Sequence, residues 1–131
     1  MTISEKCEHV SVVVADDANE LRALIVKFLN RSPFINVVGE ASETFSAIDM
    51  VSKFNPDVLL LDLSMPNGGG IKVLDAIKDR SINTRVVVLS GLPRDYGFES
   101  ARKSGAYGYI EKGAPLQSII EAVLKAGYDE K

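Results

Sequence analysis

Histidine and cysteine are almost missing from this chain, with one of each, His9 and Cys7, among 131 residues. A lone cysteine forms no intramolecular disulfide and argues against a Cys-based metal site. A lone histidine excludes His-rich zinc sites and argues against a Ser-His-Asp triad; just ahead of the first expected strand, His9 reads as a bland residue. Charge of one sign is missing too. Lys plus Arg number 15 against 18 for Asp plus Glu, a net of −3, so no broad attraction to nucleic acid or anionic membrane is expected. No stretch approaches the ~18 to 20 apolar residues that span a bilayer, and Met1–His9 lacks the apolar region of a signal peptide. A cytoplasmic location follows as the expectation. The glycine-rich segment Met65-Pro66-Asn67-Gly68-Gly69-Gly70 fits neither GxxxxGK[ST] nor G-x-G-x-x-G. It reads as a flexible loop rather than a nucleotide cradle.

The remainder is ordinary for a folded protein: 46% apolar and 25% charged residues. A chain of this length fits one domain and buries about two-thirds of its unfolded surface. Strand and helix patterns alternate five times. Strands are expected near His9–Ala15, Asn36–Glu40, Val58–Asp62, Arg85–Ser90 and Tyr107–Glu111. The first, third and fourth are continuous β-branched or Leu runs, as in strands covered on both faces. The second is more polar and suits a sheet edge. Leu21, Leu24, Ile25, Phe28 and Leu29 form one helical stripe, and Leu116, Ile119, Ile120, Val123 and Leu124 form another. Phe45, Ile48 and Val51 mark a helix over Thr44–Phe54, and Val73, Leu74 and Ile77 mark one over Ile71–Arg80. Tyr96–Ser104 is the least convincing helix and is expected to be short or mobile. Pro33, Asn55-Pro56-Asp57 and Gly105 punctuate these elements. Five βα units with right-handed crossovers give an α/β fold, a flavodoxin-like doubly wound parallel sheet of order 2-1-3-4-5 with five helices. One domain over 1–131 is expected, with its core at about 9–126 and a polar tail at 127–131.

In such a sheet the carboxyl ends of the strands face one crevice, where ligands bind. Asp16-Asp17, Asp62, Ser90 and Lys112 each stand at a strand end. Asp16 and Asp17 also suit the start of a helix, where Asp accepts N–H bonds. Two adjacent acids repel each other, however, and a hard cation such as Mg²⁺, bound through oxygen, relieves that repulsion. Asp62 is the candidate nucleophile, because a carboxylate beside such a cation stays ionised and can attack phosphorus. A phosphoryl group there brings about −1.5 to −2 charge and three acceptor oxygens. The Lys112 ammonium can neutralise one oxygen and the Ser90 hydroxyl can donate to another.

With these residues the chain resembles the receiver domain of two-component response regulators. The resemblance rests on Asp16-Asp17, Asp62 with Met65-Pro66 and Gly70 behind it, Ser90-Gly91, and Tyr109 three residues before Lys112. It runs from about Val10 to Ala126. Val37-Val38-Gly39-Glu40-Ala41 and Gly105-Ala106-Tyr107-Gly108-Tyr109 are similar to receivers that precede a helix-turn-helix output domain. The resemblance implies a signalling switch rather than an enzyme on other substrates. By that resemblance Asp62 would take a phosphoryl group from a phosphohistidine on a sensor kinase or phosphotransfer protein. Mg²⁺ or Mn²⁺ would be held by Asp17, Asp62 and the Ser64 backbone carbonyl, with Asp16 acting directly or through water. Ser90 would swing toward the phosphoryl group and Tyr109 would turn inward, altering the face of the fourth helix, fifth strand and fifth helix, where a homodimer could form. By the same analogy Ser64 and Leu92 would flank the path of attacking water. Gly113 departs from the family, in which a cis-proline commonly follows the lysine. Transcriptional regulation is the implied output, with no nucleic-acid or membrane contact from this domain.

Two other readings stand beside this one. A haloacid-dehalogenase-like phosphatase also uses a strand-end Asp with Mg²⁺, but it carries a second acid where this chain has Ser64. A phosphorylation-independent interaction module would keep the fold without the switch.

Overall fold

The valine and leucine runs become the middle of the sheet. The computed structural model describes residues 9–91 and 94–129, with the backbone alone for 94–97. Cys7, Leu92 and the last two residues of the polar tail fall outside it. The elements are β1 (Val10–Ala15), α1 (Asn19–Leu29), β2 (Ile35–Ala41), α2 (Thr44–Phe54), β3 (Val58–Asp62), α3 (Gly69–Asp79), β4 (Arg85–Ser90), α4 (Arg94–Lys103), β5 (Gly108–Glu111) and α5 (Leu116–Tyr128). All pairings are parallel and the order is β2-β1-β3-β4-β5. The expected flavodoxin-like sheet is therefore present, and its polar second strand is an edge.

Alternation along each strand divides the apolar side chains between two layers. Val13, Ala15, Leu59, Leu61, Val86 and Val88 face Ile48, Val51, Val73, Leu74 and Ala101 of α2, α3 and α4. Val12, Val14, Leu60, Val87 and Leu89 face Ile25 and Leu29 of α1 and Ile119, Ile120 and Val123 of α5. Covering both faces explains the near-absence of polar residues within β1, β3 and β4.

Several boundaries and exposures differ from the sequence expectation. The helix after β3 starts at Gly69, not Ile71, so two of the three glycines belong to its first turn rather than to a loose loop. Their lack of side chains is a packing requirement. A Cβ on Gly69 would sit 2.7 Å from the Leu63 carbonyl, and one on Gly70 would sit 2.9 Å from the Asp62 carbonyl. The fourth helix is a full ten-residue element, Arg94–Lys103. Leu24 and Phe45, both counted in apolar stripes, are about half exposed. Each stripe is wider than the sheet surface its helix covers, and Phe45 instead lies under the Lys72 ammonium, 4.6 Å from the ring centroid.

The end of α5 is fastened to the amino-terminal edge of the sheet. Arg85, first in β4, lies 4.6 Å over the Tyr107 ring and 3.5 Å from the Asp129 carboxylate, which also accepts a hydrogen bond from the Tyr107 hydroxyl. Gly127 packs directly on Val10, where even a methyl group would meet Val10 Cγ1 at 2.4 Å.

Candidate functional site

Register brings the strand-end residues together. Ala15, immediately before Asp16, pairs with Leu61, immediately before Asp62, and Asp62 pairs with Leu89, immediately before Ser90. The Lys112 N–H donates to the Ser90 carbonyl at 2.7 Å, which carries β5's neighbour to the same rim. Asp16, Asp62 and Ser90 are buried at 1%, 1% and 3% exposure, while Asp17 faces solvent.

The two buried carboxylates divide their oxygens in the same way. Asp16 Oδ1 accepts the Ala18 N–H at 2.8 Å. Asp62 Oδ1 accepts the Ser64 N–H at 3.0 Å and the Ser64 hydroxyl at 2.9 Å. The Oδ2 atoms both face Lys112, whose Nζ lies 3.3 Å from Asp16 and 3.4 Å from Asp62. These are ion-pair distances without hydrogen-bond alignment, so both buried Oδ2 atoms keep unshared lone pairs. Burial alone would lower the Lys112 pKa, but the charges of Asp62 and Asp16 outweigh it and hold the ammonium above its ordinary value. The Asp17 carboxyl is held above the usual carboxylate range, by desolvation first and then by contact with Asp62 and the charges of Asp62 and Asp16.

Tyr109 is half-buried on β5, paired with Val88, and its ring meets Phe98 edge-on at 5.7 Å. Gly113, after Lys112, has φ 98° with open space around it, and no peptide bond among the described residues is cis.

Sequence reasoning missed the residues that hold these loops. Arg22 Nη1 donates to the Asp16 carbonyl at 2.7 Å, while its Nε lies 3.1 Å from Glu40 Oε1. Thr44, fully buried at the start of α2, donates its hydroxyl to the Pro66 carbonyl at 2.7 Å and lies 3.2 Å from the Gly69 carbonyl. Neither has a motif. An arginine in a first helical turn and a threonine opening a helix are commonplace until the chain is folded.

A sequence model for the response regulator receiver domain matches residues 12–124. The chain belongs to that family. The nitrate/nitrite response regulator NarL of Escherichia coli K12 is 32% identical over 123 residues, covering 94% of this chain and 57% of that protein. A probable transcriptional regulator NarL of Mycobacterium tuberculosis is 36% identical over 117 residues, covering 89% and 54%. The solved receiver domain of the latter organism's putative response regulator NarL superposes with TM-score 0.90 at 34% identity, covering 94% of this chain and 99% of that one. This receiver thus spans little more than half the length of the curated relatives it matches. Response regulators are signalling switches, and receiver domains bind Mg²⁺ at an acidic cluster.

The residues present fit such an ion. One carboxylate oxygen each from Asp16, Asp17 and Asp62 lies within 4.8 Å of the others. Two of these acids, Asp16 and Asp62, are buried with a lone-pair-bearing Oδ2 apiece, and they share the Lys112 ammonium. An all-oxygen donor set of this charge matches a hard divalent cation. Among the described residues no helix is long and apolar enough to cross a membrane.

Proposed function

We propose that this receiver is a phosphorylation switch in which Asp62 accepts a phosphoryl group from the phosphohistidine of a sensor kinase or phosphotransfer protein. The observation that carries this reading is the position of Lys112, at 3.3 and 3.4 Å from the unbonded Oδ2 atoms of Asp16 and Asp62. Asp16, Asp17, Asp62 and the Ser64 backbone carbonyl are the candidate holders of Mg²⁺, which when bound neutralises charge on the transferring group. An Asp62 oxygen attacks phosphorus, the P–N bond to the donor histidine breaks, and the imidazole leaves with a proton. Hydrolysis later returns the carboxylate and inorganic phosphate. The new group carries three acceptor oxygens. Lys112 pairs with one of them and the Ser90 hydroxyl donates to another, while Ser64 continues to hold the Asp62 side chain.

Pulling Ser90 toward that charge frees space beside β4. Tyr109, whose strand is bonded to β4, is the side chain suited to move inward. This couples a local charge to the surface of α4, β5 and α5, where a second copy could associate. Residues 1–131 are read as one receiver domain with its core at about 9–126. The relatives' transcriptional names support control of transcription as the output of a longer protein.

Incubation with Mg²⁺ and acetyl phosphate tests the assignment. Intact mass is expected to rise by one phosphoryl group, and Asp62→Asn is expected to abolish the gain. Labelling that persists in Asp62→Asn overturns the site, and steady turnover of free phosphate esters points to the phosphatase class instead.

A further inference from the structure

We infer that Glu43 and Thr44 form a clamp that positions the loop behind Asp62, and with it the Ser64 carbonyl, so that Thr44 is a positioning residue for Mg²⁺. The inference rests on the reading of the site given above. A backbone carbonyl has no side-chain torsion with which to adjust. Its place is dictated by the loop that carries it, and Mg²⁺ requires near-octahedral geometry with little tolerance.

The loop between β3 and α3 is fixed at successive points. Ser64 is bound through its N–H and hydroxyl to Asp62 Oδ1, and the Met65 side chain is buried in the core at 4% exposure. The Pro66 carbonyl then accepts two bonds from one residue, the Thr44 hydroxyl at 2.7 Å and the Thr44 N–H at 3.2 Å. Asn67, held at φ 68°, donates its side-chain amide to Glu43 Oε1 at 3.1 Å. Glu43 is itself rigid, because its carboxylate also caps α2 by accepting the Phe45 and Ser46 N–H groups at 2.8 and 2.7 Å. Thr44 reaches Gly69 O at 3.2 Å, and the Gly70 N–H closes the loop on the Leu63 carbonyl at 2.9 Å.

Thr44 is fully buried, and among the described residues its hydroxyl contacts only the Pro66 and Gly69 carbonyls, so its polar function is spent on this segment. A simple helix cap needs Glu43 alone. The Thr44 and Asn67 contacts reach 22 and 24 residues along the chain to a loop carrying a ligand candidate.

The test uses Mg²⁺ titration by calorimetry, together with acetyl phosphate labelling, on wild type, Thr44→Val, Thr44→Ser and Asn67→Gly. Thr44→Val keeps the shape and removes the donor. It is expected to weaken Mg²⁺ binding about fivefold, the scale of one hydrogen bond, and to leave the labelling rate at saturating Mg²⁺ within about twofold. Thr44→Ser is expected to restore wild-type affinity. Asn67→Gly keeps the left-handed backbone and is expected to weaken binding about threefold. Unchanged affinity in Thr44→Val overturns the clamp, as does a Thr44→Ser protein as impaired as Thr44→Val. If Thr44→Val does not fold, Asn67→Gly decides, and wild-type affinity there overturns the clamp. Wild-type protein that takes up neither Mg²⁺ nor phosphoryl overturns the reading of the site and the clamp with it.

Discussion

The Arg22 guanidinium donates a 2.7 Å hydrogen bond to the backbone carbonyl of Asp16 and so ties the first turn of α1 to the acidic end of β1. The same side chain meets Glu40 at 3.1 Å, but Glu40 is nearly half exposed. Charge-assisted bonds to a buried partner contribute more than exposed ion pairs. Arg22→Met is expected to lower unfolding free energy by about 1.5 kcal/mol, and Glu40→Gln by about 0.3 kcal/mol. Urea titrations of both variants measure the difference. Equal losses would show that the ion pair, not the Asp16 carbonyl, carries the effect.

Lys112 competes electrostatically with any cation that enters the acidic cluster. Its removal lifts the repulsion between a unit and a divalent charge, about 2 kcal/mol at ~4 Å even at the dielectric constant of water. Lys112→Met is therefore expected to bind Mg²⁺ about thirtyfold more tightly while losing the response of Tyr109 to beryllofluoride. The chain has no tryptophan, so tyrosine fluorescence and calorimetry are the natural readouts. The ammonium also has a pH signature. Its folded pKa lies above 10.5, so its contribution to stability is fully present below that value and is lost as pH rises through the raised one. Lys112→Met should flatten the alkaline limb of a pH–stability curve.

Gly127 is the tightest glycine contact in the molecule's described part, with Val10 Cγ1 only 2.4 Å from where a methyl group would stand. Gly127→Ala is expected to destabilise by about 2 kcal/mol despite the better helix propensity of alanine, since overpacking costs about 1–3 kcal/mol. Gly127→Ala with Val10→Ala should recover part of the loss. Thermal melts of the two variants provide the check.

Glu43 supplies an acid-side dependence. The Phe45 N–H, then the Asn67 amide and the Ser46 N–H, hold its carboxyl below its ordinary value of 4.5. A depressed folded pKa means that its stabilising contribution is present above 4.5 and disappears as pH falls through the lower value. Glu43→Gln should be less stable near neutrality and show a shallower loss below pH 4.5. A denaturation series from pH 3 to 7 measures both slopes, and parallel curves would contradict the capping assignment.

Sheet order and the gathering of Asp16, Asp17, Asp62, Ser90 and Lys112 were legible because each depends on a short local signal. An apolar run of β-branched residues marks a strand, and its end marks the rim. β3 and α2 match their expected limits, Val58–Asp62 and Thr44–Phe54. What escaped depends on contacts between distant segments. Thr44 opens a helix in sequence, and only the folded chain shows its hydroxyl on Pro66. Gly69 and Gly70 read as freedom, whereas the space around them is taken by the Leu63 and Asp62 carbonyls. Leu24 and Phe45 obey helical period, yet a period cannot say how wide a surface a helix covers.

Strand β4 has one end in the acid site and the other beneath the last turn of α5. Ser90 closes it, and Arg85 opens it against Tyr107 and Asp129. Its six residues make a rod of about 20 Å, bonded on both sides and sheathed by apolar layers, which cannot buckle. The acid site and the fastening of α5 are thus opposite tips of one strand, so the molecule's two poles share a single spoke.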